Sequence, residues 1–73
     1  MESSRRIFRV NRRDISYLRY TIESYDGLAQ VSTLDPYYAK IEIIISRGGE
    51  ALLSDLVESL SKEEGLLIEE ISG

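Results

Sequence analysis

The chain has 73 residues, with no cysteine and no histidine. That inventory excludes disulfides, thiolate and imidazole metal ligands, and the commonest general base. The net charge of −4 is unevenly spread: residues 1–19 set six arginines against Glu2 and Asp14, a net of +4, and residues 20–73 set three basic residues against eleven acidic ones, a net of −8.

"RRIFRVN", Arg5 to Asn11, alternates as a strand does, with Phe8 and Val10 on one face and Ile7 and Arg9 on the other. Asn11 stands where a helix N-cap belongs and Asp14 falls in the first turn, near the positive helix end. Ile15, Leu18, Ile22 and Tyr25 recur at spacings of three and four, so an amphipathic helix is expected from about Arg12 to Tyr25. Gly27 suits the left-handed residue that ends a helix, and Leu28 can fold back on the last turn. Ala29 to Leu34 reads as a modest strand with one polar side, Gln30 and Ser32, which fits a sheet edge. Asp35-Pro36 breaks it, because proline fixes its own φ and restricts its predecessor.

"KIEIIIS" is the strongest strand pattern: Ile41, Ile43 and Ile45 share a face, and Ile44 is apolar on the other. Gly48-Gly49 makes a turn into a second amphipathic helix, "EALLSDLVESLSKEEG", with Leu53, Leu56, Val57 and Leu60 on its buried stripe. Gly65 stops that helix and "LLIEEI" closes the chain as a short strand.

Strand, helix, strand, strand, helix, strand is the order of the α+β, ferredoxin-like βαββαβ arrangement. Right-handed crossovers place both helices on one face of a four-stranded antiparallel sheet, with strands one and three central. One such unit spans residues 1–73. The helix-free face should carry Ile7, Arg9, Gln30, Ser32, Leu34, Glu42 and Ile44, with Leu66 or Ile68. That mixture is too apolar for a face left to water. A domain this small buries only about 60% of its unfolded surface, and without disulfides or metal the remaining source of stability is association. A homodimer is therefore expected, either with a second copy over part of this face or with edge strands paired between copies.

The longest apolar run, Ile43 to Ile45, is far short of the roughly 18 residues that a membrane span needs. "MESSRRIFRV" has no apolar core before a small-residue cleavage site, so a cytoplasmic protein is expected. No cofactor is expected either. Arg47-Gly48-Gly49 leads into a helix N-terminus, yet Glu50 already satisfies that end and no phosphate-binding lysine follows. Glu69 and Glu70 should point to opposite sides of a strand, and Glu63-Glu64 lies at a helix end, so neither pair suits acid–base work on one substrate. No catalytic role is expected.

"IFRVN" resembles the first-strand signature of RNA-recognition motifs, in which an aromatic at the position of Phe8 stacks a base. The third strand here has no outward aromatic, so Phe8 is expected in the core. A nucleic-acid contact would then depend on Arg5, Arg6, Arg9, Arg12 and Arg13. Tyr17, Tyr20 and Tyr25 are expected at the core edge, and Tyr37 and Tyr38 in a hairpin loop, where tyrosine suits a contact rim.

"DISYLRYTIESYDGLAQVSTLD", Asp14 to Asp35, resembles a small bacterial family of uncharacterised proteins that carry a domain of unknown function. The pattern is D-I-x-Y-L followed by E-x-Y-D-G-L-A-x-V-S-T-L-D. The layout also resembles ACT domains, small regulatory modules that bind amino acids at dimer interfaces. Their first loop carries a glycine near an aspartate; here it reads "VNRRD", with no glycine. The resemblance implies a regulatory or protein-interaction module and side-by-side association, not that family's ligand site. A small-molecule ligand, if one binds, is expected between subunits, near Asn11, Arg12 and Asp14 and along Asp26, Ser32, Thr33, Asp35, Tyr37 and Tyr38.

Overall fold

A computed structural model describes residues 4–71 of the chain. Four strands, β1 (Ser4–Val10), β2 (Ala29–Asp35), β3 (Lys40–Ile45) and β4 (Ile68–Glu70), and two α-helices, α1 (Ile15–Glu23) and α2 (Glu50–Glu63), follow the expected order. The sheet is antiparallel throughout, in the order β2-β3-β1-β4. The most apolar strand, β3, and the basic strand, β1, are central, and the polar β2 is an edge. This is the ferredoxin-like α+β fold.

Alternation along the strands decides which side the helices cover. Phe8 and Val10 of β1, Val31 of β2 and Ile41, Ile43 and Ile45 of β3 are buried in one cluster with Leu18 and Ile22 of α1 and Leu53 and Leu60 of α2. Helix residues and alternate strand residues thus form a single core on one side of the sheet. Phe8 is only 2% exposed, so it is a core side chain and no stacking platform. Leu56 and Val57 pack against the cluster from α2.

Several boundaries differ from the sequence expectation, each for a local reason. The first helical segment begins as a 3-10 turn, Arg12–Asp14, before α1 starts. Asn11 does not cap it with its side chain; its carbonyl accepts the Asp14 N–H at 2.9 Å instead. Asp14 is the N-cap of α1, also without a side-chain cap bond. The helix ends at Glu23, so Tyr25 falls in the following turn and is exposed rather than on the apolar stripe. Gly27, at φ +74°, then reverses the chain and seats Leu28 in the core.

β2 extends to Asp35, and its pairing with β3 is irregular between Thr33 and Asp35. β4 is shorter than expected, and Ile68 pairs with Val10, a helix-side residue. Ile68 and Leu66 therefore pack against the core and do not join the open face. Leu67 is the exposed residue between them. Ala39 closes the β2–β3 hairpin at φ +56°, a left-handed conformation that the buried methyl side chain tolerates better than a branched one would. Its carbonyl accepts the Val10 N–H at 3.0 Å and ties the hairpin to β1. Among the described residues no helix is long and apolar enough to cross a membrane.

Candidate functional site

The five N-terminal arginines do not form one free basic surface. Arg6, on the helix side, makes a two-pronged contact with Glu70: Nε to Oε2 at 3.0 Å and Nη2 to Oε1 at 2.7 Å. Its Nη1 also donates to Ser54 Oγ of α2 at 3.1 Å, and its guanidinium lies 5.2 Å from the Phe8 ring centre. The hydrogen bond holds the Glu70 carboxyl below its usual range and raises the Arg6 guanidinium further above its own. Arg6 thereby ties β1, β4 and α2 together. On the opposite face Arg5 meets Glu42 at 2.7 Å and Arg9 meets Glu69 at 2.8 Å. Glu69 and Glu70 do point to opposite sides. Arg12 and Arg13 are exposed in the 3-10 turn, and Arg12 Nη2 donates to the Tyr37 carbonyl at 3.3 Å.

The other candidate residues separate into two places. At the hairpin tip, Asp35 Oδ1 accepts the backbone N–H groups of Tyr37 and Tyr38, at 3.0 and 3.2 Å. That turn fixes the two rings edge to face, 4.8 Å apart, with Tyr37 73% and Tyr38 60% exposed. Lys40 lies 5.9 Å from the Tyr38 ring, and Asn11 and Arg12 are near the same end. Asp26 is exposed before the opposite end of β2. Six residue steps separate Ala29 from Asp35, roughly 20 Å of strand, so Asp26 and Asp35 do not share one site.

Ser32 lies between these ends and lines a groove of about 410 Å³ along the edge of β2, with Glu23, Tyr25, Gly27, Gln30 and Ser46. The side chains that line it offer hydrogen-bond donors and acceptors. Glu23 reaches from the end of α1 and its Oε2 accepts the Val31 N–H at 2.9 Å. Because that N–H points away from β3, the outward backbone groups of β2 belong to Ala29, Val31 and Thr33. One turn earlier on α1, Arg19 Nη2 donates to Thr33 Oγ1 at 3.3 Å. Sequence reading missed Arg19 and Glu23. The available signal was their spacing of four before a polar edge strand, in the order, cation first, that suits an intrahelical pair less well. Tyr17 Oη donates to Glu64 Oε1 at 2.8 Å, which raises the phenol above its ordinary value and joins α1 to the residue after α2.

The helix-free face carries Ile7 and Ile44, half-buried, with exposed Leu34, Gln30 and Ser32 and the Arg5–Glu42 and Arg9–Glu69 pairs. Its charge is neutralised locally. Among the described residues no three carboxylates are placed to hold a metal ion.

No curated protein and no solved structure matches the chain. The model of one family, described as a domain of unknown function (DUF4911), matches residues 8–63. That span runs from the core Phe8 through both helices, and the chain belongs to this family.

Proposed function

We propose that the chain is a small ACT-like regulatory or protein-interaction module of the cytoplasm. It acts without catalysis, as a homodimer, and takes a small ligand where two copies meet. The observation that carries this reading is the groove at the edge of β2. It is lined by Glu23 at the end of α1, Tyr25 and Gly27 of the turn that follows, and Gln30 and Ser32 of β2, and it opens to the surface. A second copy is the simplest cover for such a groove in a domain whose own core is small.

A nucleic-acid role has weaker support, since Arg5, Arg6 and Arg9 are each already matched by a carboxylate. It would rest on Arg12 and Arg13 beside the two tyrosines, and on salt-sensitive binding of single-stranded RNA.

Light scattering across a micromolar dilution series tests the dimer; a monomer at every concentration overturns it. A panel of amino acids and nucleotides tests the ligand by thermal shift, because a ligand that binds the folded state raises its melting temperature. A flat response across the panel removes the ligand and leaves a module for protein contact alone.

A further inference from the structure

We infer that the groove beside β2 takes a protonated primary amine, a diamine or polyamine that carries no carboxylate of its own. This rests on the reading of the groove as a small-ligand site and names the class of ligand.

The hydrogen-bonding groups that line the groove are unevenly matched. Ala29 and Val31 both turn their backbone N–H and C=O away from β3, because a residue of an antiparallel strand directs the two groups to the same side. β2 is an edge, so no further strand meets them there. Glu23 Oε2 already accepts the Val31 N–H at 2.9 Å. That leaves the carbonyls of Ala29 and Val31 and the second carboxylate oxygen of Glu23 as acceptors, against the Ala29 N–H as the one outward backbone donor at the groove. Gln30 and Ser32 can donate or accept, so they tip the balance neither way. A ligand that completes this set must bring donors.

The charge agrees. Among the described residues that line the groove, Glu23 is the only charged one. Asp26, exposed, lies in the turn between two lining residues, Tyr25 and Gly27. Arg19 stands one turn before Glu23 but donates to Thr33 Oγ1, and Arg47 follows Ser46 in sequence; neither lines the groove. A carboxylate or phosphate entering here would meet Glu23 with no lining cation to offset the repulsion. An alkyl ammonium group is charged at neutral pH and has three donors and no acceptor. It matches Glu23 by charge and the carbonyls by hydrogen bonding, and the half-exposed Tyr25 ring at the same groove offers a π face to a cation. Nucleotides, and amino acids whose ammonium travels with a carboxylate, fit less well. A groove of about 410 Å³ accommodates a small aliphatic amine.

Glu23→Gln separates the charge from the fold. The amide oxygen of the new side chain can still accept the Val31 N–H, so the strand edge stays closed while the carboxylate is gone. Putrescine and spermidine join the ligand panel at constant ionic strength. Beside them stand N,N′-diacetylputrescine, which keeps the carbon chain and loses both charges, and two anions, glutamate and adenosine monophosphate. The two amines should raise the melting temperature of the wild type with increasing concentration, and the other three compounds should leave it unchanged. By titration calorimetry, Glu23→Gln should bind putrescine about tenfold or more weakly, having lost a charge-assisted hydrogen bond. Asp55→Asn removes a like charge from the exposed side of α2. It should stay within about twofold of the wild type, which separates the groove from a general attraction of amines to an acidic chain. Circular dichroism checks the fold of both variants, and the comparison of putrescine with its diacetyl form needs no variant at all. Equal binding of the diacetyl form, or a loss in Glu23→Gln no larger than in Asp55→Asn, overturns the amine assignment. Binding of glutamate or the nucleotide with no response to the amines overturns the class while the ligand reading stands. No response to any member of the panel overturns both.

Discussion

The two faces of the sheet are built from similar residues and end in different states. Ile43 and Ile44 are neighbours in β3; Ile43 is 1% exposed beneath the helices, and Ile44 is only half-buried on the side no helix covers. Arg6 and Arg9 both pair with a glutamate of β4. Arg6 does so under α2 with two hydrogen bonds and a third to Ser54, and Arg9 does so in the open with one. What differs is the cover, not the composition. The comparison teaches that the energetic weight of a side chain in this fold follows the helices.

The largest expected effect is Ile43→Ala. Removing a fully buried isoleucine side chain costs about 2–5 kcal/mol, through lost transfer energy and the cavity left behind. Ile44→Ala should cost about 1 kcal/mol, since a half-buried side chain gains about half as much from burial. Urea unfolding of both variants at unchanged m-value measures the difference. Equal losses would mean that the open face is covered in solution.

Next comes the pair of arginines. Arg6→Ala should cost roughly 1 kcal/mol: the contact is two-pronged, but the side chains remain 27% and 38% exposed, so solvent screens much of it. Arg9→Ala should fall within about 0.5 kcal/mol of the wild type, because that pair is more than half exposed on both sides. A larger loss for Arg9 would reverse the ranking of the two faces.

The smallest effect is a pH dependence. Arg6 holds the Glu70 carboxyl below the usual value, so the pair stabilises the fold above the unfolded pKa of about 4.3. That contribution is lost as pH falls through the lower folded value. Between pH 5 and pH 3 the wild type should lose more stability than Glu70→Gln, in which the titrating group is absent. An equal loss in both would show that the Arg6 contact contributes nothing in solution.

Much of the architecture was legible because it follows from local periodicity. Isoleucines at alternate positions of β3, leucines at three and four in the helices, and glycines at the helix ends each announce an element and its buried side. The errors lie where a local signal competes with a distant one. Ile68 looked free to face either way, and its pairing with Val10, far along the chain, turned it to the core. Asn11 has the side chain of an N-cap, but the first turn tightened into a 3-10 turn and its carbonyl took the bond. Of the candidate site, Ser32 and the hairpin tip were visible as polar or aromatic residues, whereas the place of Glu23 at the strand edge was not.

By itself the sequence determined the element order, the apolar side of each element and the charge imbalance, because these depend on spacings of two to four residues. Only the tertiary structure decided what the charges do: Arg6 finds Glu70 across 64 positions, Arg9 finds Glu69 across 60, and Glu23 closes the Val31 N–H. Ion-pair partners are set by strand register and by the line on which a helix crosses a sheet. Those are properties of the packed chain, which no window of neighbouring residues contains.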